Sequence, residues 1–280
     1  MGSAMNHLQY GTKISIKNKT VIYPQNSVIP PTNNCIYFII KGKVAIAKKI
    51  ENNNYFRFGL GENMLFGAAD CEYGKRITNA IAIDDCELYG WTFENFIMNI
   101  QVSITLARMV TYSLCKELRY LNEKKEQNFF NEKTLNDLEN IAVSEDTESQ
   151  SSLCNLAFNS NVKDLDKSIM EKFGKTFKKN EILIAENDMS NDFYIICKGE
   201  TEIIKNNKII AKINEGEIVG EMSYFDSMPR TATVRAATDV SVLVLTPENF
   251  NVLYQLHPEW SVKIVKSMKK RVFEAYKNLV

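Results

Sequence analysis

The stretch Gly216–Ala236, GEIVGEMSYFDSMPRTATVRA, decides how this chain is read. Gly220 lets the backbone bend closely around a ligand, and Glu221-Met222-Ser223-Tyr224 begins a short helix whose first N–H groups have no partner inside the helix. Such amides form a seat for an anion. Pro229-Arg230-Thr231-Ala232 then enters an alternating strand, Thr233-Val234-Arg235-Ala236, so Arg230 stands at its rigid start and can aim a forked guanidinium at the same anion. Glu221 cannot favour an anion. A carboxylate accepts from a hydroxyl, and a ribose 2'-OH supplies that donor. The segment therefore offers partners for a phosphate and a sugar hydroxyl together; the bland alternative is a surface turn with an ordinary Glu–Arg pair.

Working outward, the chain repeats itself. Cys35–Gly42 (CIYFIIKG) parallels Asp192–Gly199 (DFYIICKG), each an apolar strand ending at a Lys-Gly turn. Gly61-Glu62 parallels Gly216-Glu217, and Thr92–Phe96 (TFENF) parallels Thr246–Phe250 (TPENF). Short strands bounded by Gly, Asn and Pro come first in each copy and helices follow. The expected fold is mainly β with α: two jelly-roll-like β-barrels of the double-stranded β-helix type, each with flanking helices. Three segments are expected: residues 1–128 ending in one long helix, an acidic linker over 129–152, and a second domain over 153–280.

Gly220-Glu221, a spacer of eight residues, Arg230-Thr231-Ala232, a strand and then two helices resemble the phosphate-binding cassette of the cyclic nucleotide-binding domain family. The resemblance implies that Glu221 holds the ribose 2'-OH and that Arg230 holds the cyclic phosphate, with the amides of Gly220, Met222 and Ala232 contributing. Thr231 would touch phosphate and base, and Ser223 lies in the same amide-bearing turn. The implied ligand is cyclic AMP or cyclic GMP, with a slight lean to cyclic AMP. No cofactor is implied. The first copy departs from the pattern: Ala68 stands where Glu221 stands, the loop to Arg76 is one residue shorter, and Ile77 replaces Thr231. Losing the ribose acceptor costs about 1–3 kcal/mol, so this copy reads as degenerate unless Glu72 substitutes or another anion is accepted.

Thr246 is the expected N-cap of a helix with Pro247 at its first position, running to about Leu256. His257-Pro258 ends it. A second helix follows with the stripe Trp260, Ile264, Met268, Val272, Tyr276 and Leu279. In the family the last helix serves as a dimer interface or as a lid over the base, which makes Arg271, Phe273 and Tyr276 candidate lid residues; plain core packing is the alternative for each. In the first copy one helix is expected from about Glu94 to Gln127.

Composition bounds the remaining classes. The 280 residues carry 34 Lys+Arg and 34 Asp+Glu, so no overall basic excess points to nucleic acid or an anionic membrane. No apolar run is long enough to span a bilayer. Met1–Met5 lacks a signal-peptide pattern and reads as a vector remnant, so a cytoplasmic location is expected. Six scattered cysteines without a CxxC pair, and only His7 and His257, predict reduced thiols and no metal site. No kinase signature, helix-turn-helix, Gly-x-Ser-x-Gly, His-Glu-x-x-His or Walker loop occurs. The reading is a non-enzymatic cyclic nucleotide receptor that signals by helix rearrangement, through a homodimer or a separate effector protein. The alternatives are a ligand-independent interaction scaffold and a transcription regulator lacking its DNA-binding region.

Overall fold

The computed structural model describes residues 10–50, 55–71, 73–123 and 167–279. The acidic segment 129–152, most of the expected lead-in helix and Glu72 lie outside the described residues. The chain divides into two compact units, Met1–Asn155 with Ser261–Val280, and Leu156–Trp260.

The first unit contains β1 (Thr12–Ile16), β2 (Val21–Tyr23), β3 (Ile36–Lys41), β4 (Val44–Lys49), β5 (Tyr55–Leu60), β6 (Leu65–Phe66), β7 (Asn79–Ala82) and β8 (Cys86–Trp91). The second contains β9 (Gly174–Phe177), β10 (Ile182–Ile184), β11 (Phe193–Lys198), β12 (Thr201–Lys205), β13 (Lys208–Ile213), β14 (Ile218–Val219), β15 (Thr233–Ala236) and β16 (Val240–Leu245). All pairings are antiparallel. The first unit has sheets ordered β1-β8-β3-β6 and β2-β7-β4-β5. The second has β14-β11-β16-β9 and β10-β15-β12-β13, which is the same topology strand for strand. The duplication read from the sequence is thus a duplication of sheet order, and the fold is mainly β with helices.

Both Lys-Gly turns obey the same steric rule. Gly42 and Gly199 have φ +90° and +93°, where a side chain is strained, and a Cβ there would lie 2.8 Å from the Asp85 carbonyl oxygen or 2.4 Å from that of Asp239. Strand β11 is apolar without alternation because both of its faces are covered. Tyr194 and Ile196 join Phe177, Ile184, Val234 and Val242 in the core between the sheets. On the opposite face Phe193, fully buried, meets Phe225 and Phe250 at ring-centroid distances of 6.0 and 5.9 Å.

Helix α1 (Phe93–Val102) starts at Thr92, whose hydroxyl accepts from the Asn95 amide at 3.3 Å. The single helix expected through Gln127 is two helices: Ser103 is extended (φ −125°, ψ 99°) and α2 (Ile104–Glu123) begins after it. Ser103 both caps the end of α1 and accepts from the Leu106 amide at 3.2 Å, so its hydroxyl restarts the helix that its backbone interrupts. The second unit has α3 (Lys167–Phe173), α4 (Glu221–Asp226) and α5 (Pro247–Leu256). Helix α5 follows the expected capping, with a reciprocal Thr246/Asn249 box and Pro247 in the first turn.

Helix α6 (Glu259–Lys277) belongs, from Ser261 onward, to the first unit and not to the second domain in which the sequence placed it. Ile264, Val265, Met268, Val272 and Tyr276 are each 2% exposed or less. Their burial contributes roughly 10 kcal/mol of gross hydrophobic stabilisation. Polar contacts fix the helix in place: Ser261 Oγ donates to the Ile100 carbonyl at 3.0 Å, Lys48 Nζ donates to the Tyr276 carbonyl, and the Tyr276 hydroxyl donates to Glu117 of α2. Burial pushes the Glu117 carboxyl up to about 7; the Tyr276 hydrogen bond opposes this and the Asp70 charge adds to it.

Candidate functional site

The second cassette is built on the end of β14. Val219 pairs with Tyr194 of β11, and Gly220 follows with φ +89° as the N-cap of α4. A Cβ at Gly220 would sit 2.7 Å from Ile184 Cδ1 and 3.0 Å from Arg230 Nη1, so glycine is required both by backbone conformation and by the closeness of the arginine. Tyr224 packs edge-on against Phe193 at 4.9 Å and also meets Phe250, which holds α4 on β11. Ser227, at φ 55°, ends α4 with its amide on the Ser223 carbonyl. The chain then reaches Arg230, whose backbone N–H donates to the Asp188 carbonyl at 2.9 Å and whose carbonyl accepts from Asn187 at 3.0 Å.

Glu221, Met222, Ser223 and Arg230 are all 5% exposed or less, while Gly220, Thr231 and Ala232 are half-buried. Each of the three nitrogens of the Arg230 fork donates. Nη1 donates to the Gly220 carbonyl at 2.6 Å, Nη2 donates to the carbonyl of Asp192 and lies 3.0 Å from its Oδ1, and Nε and Nη2 donate to Ser190 Oγ at 3.2 and 3.1 Å. Burial pulls the guanidinium below its ordinary value, and the charges of Asp192, Tyr194, Asp188 and Glu221 pull it back up. An arginine keeps its proton in such a setting. The structure therefore gathers Gly220, Glu221 and Arg230 at one place, with a cation tied to the carbonyl that precedes the buried carboxylate.

Ser190 and Asp192 are partners that sequence reasoning missed. Asp192 is fully used: Oδ1 faces Arg230, and Oδ2 accepts from the Tyr194 hydroxyl at 2.6 Å. The available signal was an acidic residue directly before a continuous apolar strand, a position that leaves its side chain at the strand's mouth.

The equivalent place in the first unit has the same frame and a different charge. Gly67 has φ +79°, and Arg76, 3% exposed, donates from Nη1 to the Gly67 carbonyl at 3.1 Å and from Nη2 to the Cys35 carbonyl at 2.7 Å. Cys35 occupies the position of Asp192. Its side chain brings no carboxylate; Asp70 supplies one instead, with Oδ1 at 2.7 Å from Arg76 Nη1 and Oδ2 accepting from the Ile77 amide at 2.9 Å. Burial raises the Asp70 carboxyl, against Arg76 and that amide, which favour its ionised form. The Tyr23 ring covers the other side of the guanidinium, 3.8 Å from its centroid.

The candidate lid residues belong to the stretch of chain assigned to the first unit. Arg271, Phe273 and Tyr276 lie on α6 within the first unit. Phe273 stacks on Tyr73 at 3.9 Å and 18°, Tyr276 is buried against Glu117, and Arg271 Nη1 lies 3.9 Å from Met268 Sδ. Of the stripe that marked α6 as amphipathic, Ile264, Met268, Val272 and Tyr276 are buried residues of the first unit. Among the described residues no group of three His, Cys, Asp or Glu could hold a metal ion, and no helix is long and apolar enough to cross a membrane.

The profile of the cyclic nucleotide-binding domain family matches residues 174–257. The cGMP-dependent protein kinase of Eimeria tenella is 34% identical over 68 residues, 24% of this chain and 7% of that protein. The cAMP-dependent protein kinase regulatory subunit of Schizosaccharomyces pombe is 32% identical over 78 residues, 28% of this chain and 19% of that protein. The chain thus spans less than a fifth of either relative. Among solved structures, the regulatory domain of Toxoplasma gondii PKA with cAMP superposes over 95% of this chain and 90% of that one, at 15% identity and a TM-score of 0.31. The matched residues run from β9 to the end of α5 and include Gly220, Glu221 and Arg230. Residues 174–257 are a cyclic nucleotide-binding domain, and the first unit repeats its sheet order.

Proposed function

We propose that the second unit is a cyclic nucleotide receptor site and that the chain works as a binding and regulatory module, not as an enzyme. The observation that carries this reading is Arg230: a buried cation, knit to the Gly220 carbonyl and to Asp192, beside buried Glu221 inside the family-matched residues. Arg230 would hold the cyclic phosphate with the amides of Gly220, Met222 and Ala232, and Glu221 would accept from the ribose 2'-OH. Ser223, in the first turn of α4, and Thr231, directly after Arg230, would complete the seat, with Thr231 touching phosphate and base. The guanidinium now spends one N–H on the Asp192 carboxylate, so a phosphate entering the seat competes with that carboxylate for the fork. Exchange of one anion for the other would shift the cassette, and the helices that follow it would carry the shift. Cyclic AMP is the first ligand to test and cyclic GMP the second. A homodimer or a separate effector protein would receive the signal.

Titration calorimetry of the whole chain with each nucleotide tests the reading. One nucleotide per chain is expected, and Arg230→Ala should weaken binding by more than about 2 kcal/mol, at least thirtyfold, because a desolvated phosphate loses its main partner. A chain that takes up neither nucleotide would favour the ligand-independent scaffold, and two sites per chain would overturn the one-site assignment.

A further inference from the structure

The two arginines, Arg76 and Arg230, sit in matching frames of backbone carbonyls, yet their carboxylates come from different places in the chain. Asp192 reaches Arg230 from the start of a strand. Asp70 reaches Arg76 from inside the cassette turn itself, six residues upstream, and is 2% exposed. One of its oxygens faces a guanidinium N–H and the other takes the backbone amide directly after that arginine. A pair of acceptor oxygens shared between a guanidinium and a following amide is the contact set that a small tetrahedral oxyanion would need at this place. The space around it is closed as well. Tyr23 covers the guanidinium, and Tyr73 of the same turn is stacked under Phe273 of α6.

We infer that the first unit is a self-occupied anion site: Asp70 takes the seat that a sulfate- or phosphate-type oxyanion would fill on Arg76 and the Ile77 amide, so this unit holds its closed cassette without any ligand. The degenerate copy is then a constitutively filled site and not an eroded one. Its vacancy can be created by removing one side chain. The inference concerns the first unit alone and stands whether or not the second cassette binds a nucleotide.

The test uses the full chain carrying Trp260→Phe, which leaves Trp91 of the first unit as the only indole, and compares Asp70 intact with Asp70→Ser and Asp70→Asn. Thermal unfolding is followed by Trp91 emission in sodium chloride and in sodium sulfate at matched ionic strength. With Asp70 intact, sulfate should give only the gradual, unsaturating rise of an excluded salt. Asp70→Ser should lower the midpoint by about 10 °C in chloride, because Arg76 is left buried without its counter-charge, and sulfate should restore at least half of that loss along a saturating curve. Asp70→Asn removes the charge but still fills the seat, so its midpoint should fall without a saturable recovery. If Asp70→Ser is unfolded in chloride, sulfate should refold it. The inference is overturned if folded Asp70→Ser responds to sulfate no more than its parent does, if it stays unfolded at every sulfate concentration, or if the chain with Asp70 intact already shows a saturable response.

Discussion

Glu117 allows a sharp test of how α6 is held. Its carboxyl is buried on α2, accepts from the Tyr276 hydroxyl, and has its folded-state pKa raised from 4.5 to about 7, chiefly by burial. A raised carboxyl pKa means that the folded state binds the proton more tightly than the unfolded state does. Between pH 4.5 and 7 the folded chain therefore carries more protons, and stability falls as pH rises through this window. Above about pH 7 the loss is complete. At about 1.36 kcal/mol per pH unit over some 2.5 units, it approaches roughly 3 kcal/mol. Glu117→Gln keeps an oxygen for Tyr276 and removes the titration, at a cost of about 1 kcal/mol for an amide N–H₂ left without an acceptor. The variant should be the less stable protein at pH 4 and the more stable one at pH 8, so the two stability curves cross. Urea unfolding in the Trp260→Phe background, read through Trp91 from pH 4 to 8, measures this directly. Asp70, also raised by burial, contributes a slope of the same sign to both proteins. Parallel curves for the two proteins would show that Glu117 is not buried against Tyr276 as described.

Glu221→Ala should weaken nucleotide binding by about 1–3 kcal/mol, roughly ten- to hundredfold, and a 2'-deoxy cyclic nucleotide should bind wild type and variant alike. An equal penalty with the deoxy ligand in calorimetry would remove Glu221 from the ribose. Deleting residues 261–280 should abolish the cooperative Trp91 transition, since it strips a helix whose buried face is worth roughly 10 kcal/mol from the first unit, against a typical domain stability of about 5–15 kcal/mol. An unchanged transition after that deletion would contradict the assignment of α6 to the first unit.

The strand plan and the second cassette were legible because they depend on local chemistry. Lys-Gly turns need positive φ, β11 needs an unbroken apolar run, and Thr246-Pro247 writes its own helix start. The break at Ser103 was hidden because the apolar spacing continues across it, and one serine can serve in mid-helix or as a cap. The stripe on α6 announced a buried face without saying whose core it would join, since periodicity carries no address. Asp70 and Asp192 were missed for a related reason. Their roles come from long-range meetings with Arg76 and Arg230, and only in the fold does Asp70 replace what the Cys35 position lacks. A lone carboxylate in the apolar run Phe66-Gly67-Ala68-Ala69-Asp70-Cys71 was the one local hint.

The first unit is written in two pieces, residues up to 155 and residues from 261 onward, with the second unit spelled out between them. During synthesis its sheets and α2 emerge early, but the side chain that meets Glu117 and the ring that stacks on Tyr73 are made only after the whole of the second unit. The interval from residue 123 to residue 261 is 138 residues, on the order of ten seconds at typical translation speeds. Throughout that time the nascent chain must carry an unfinished apolar surface, while the unit encoded later has all of its own parts and can fold first. The second unit therefore has all of its residues before the first does, although it is encoded later, and the early-made half lacks part of its core until the chain is nearly complete.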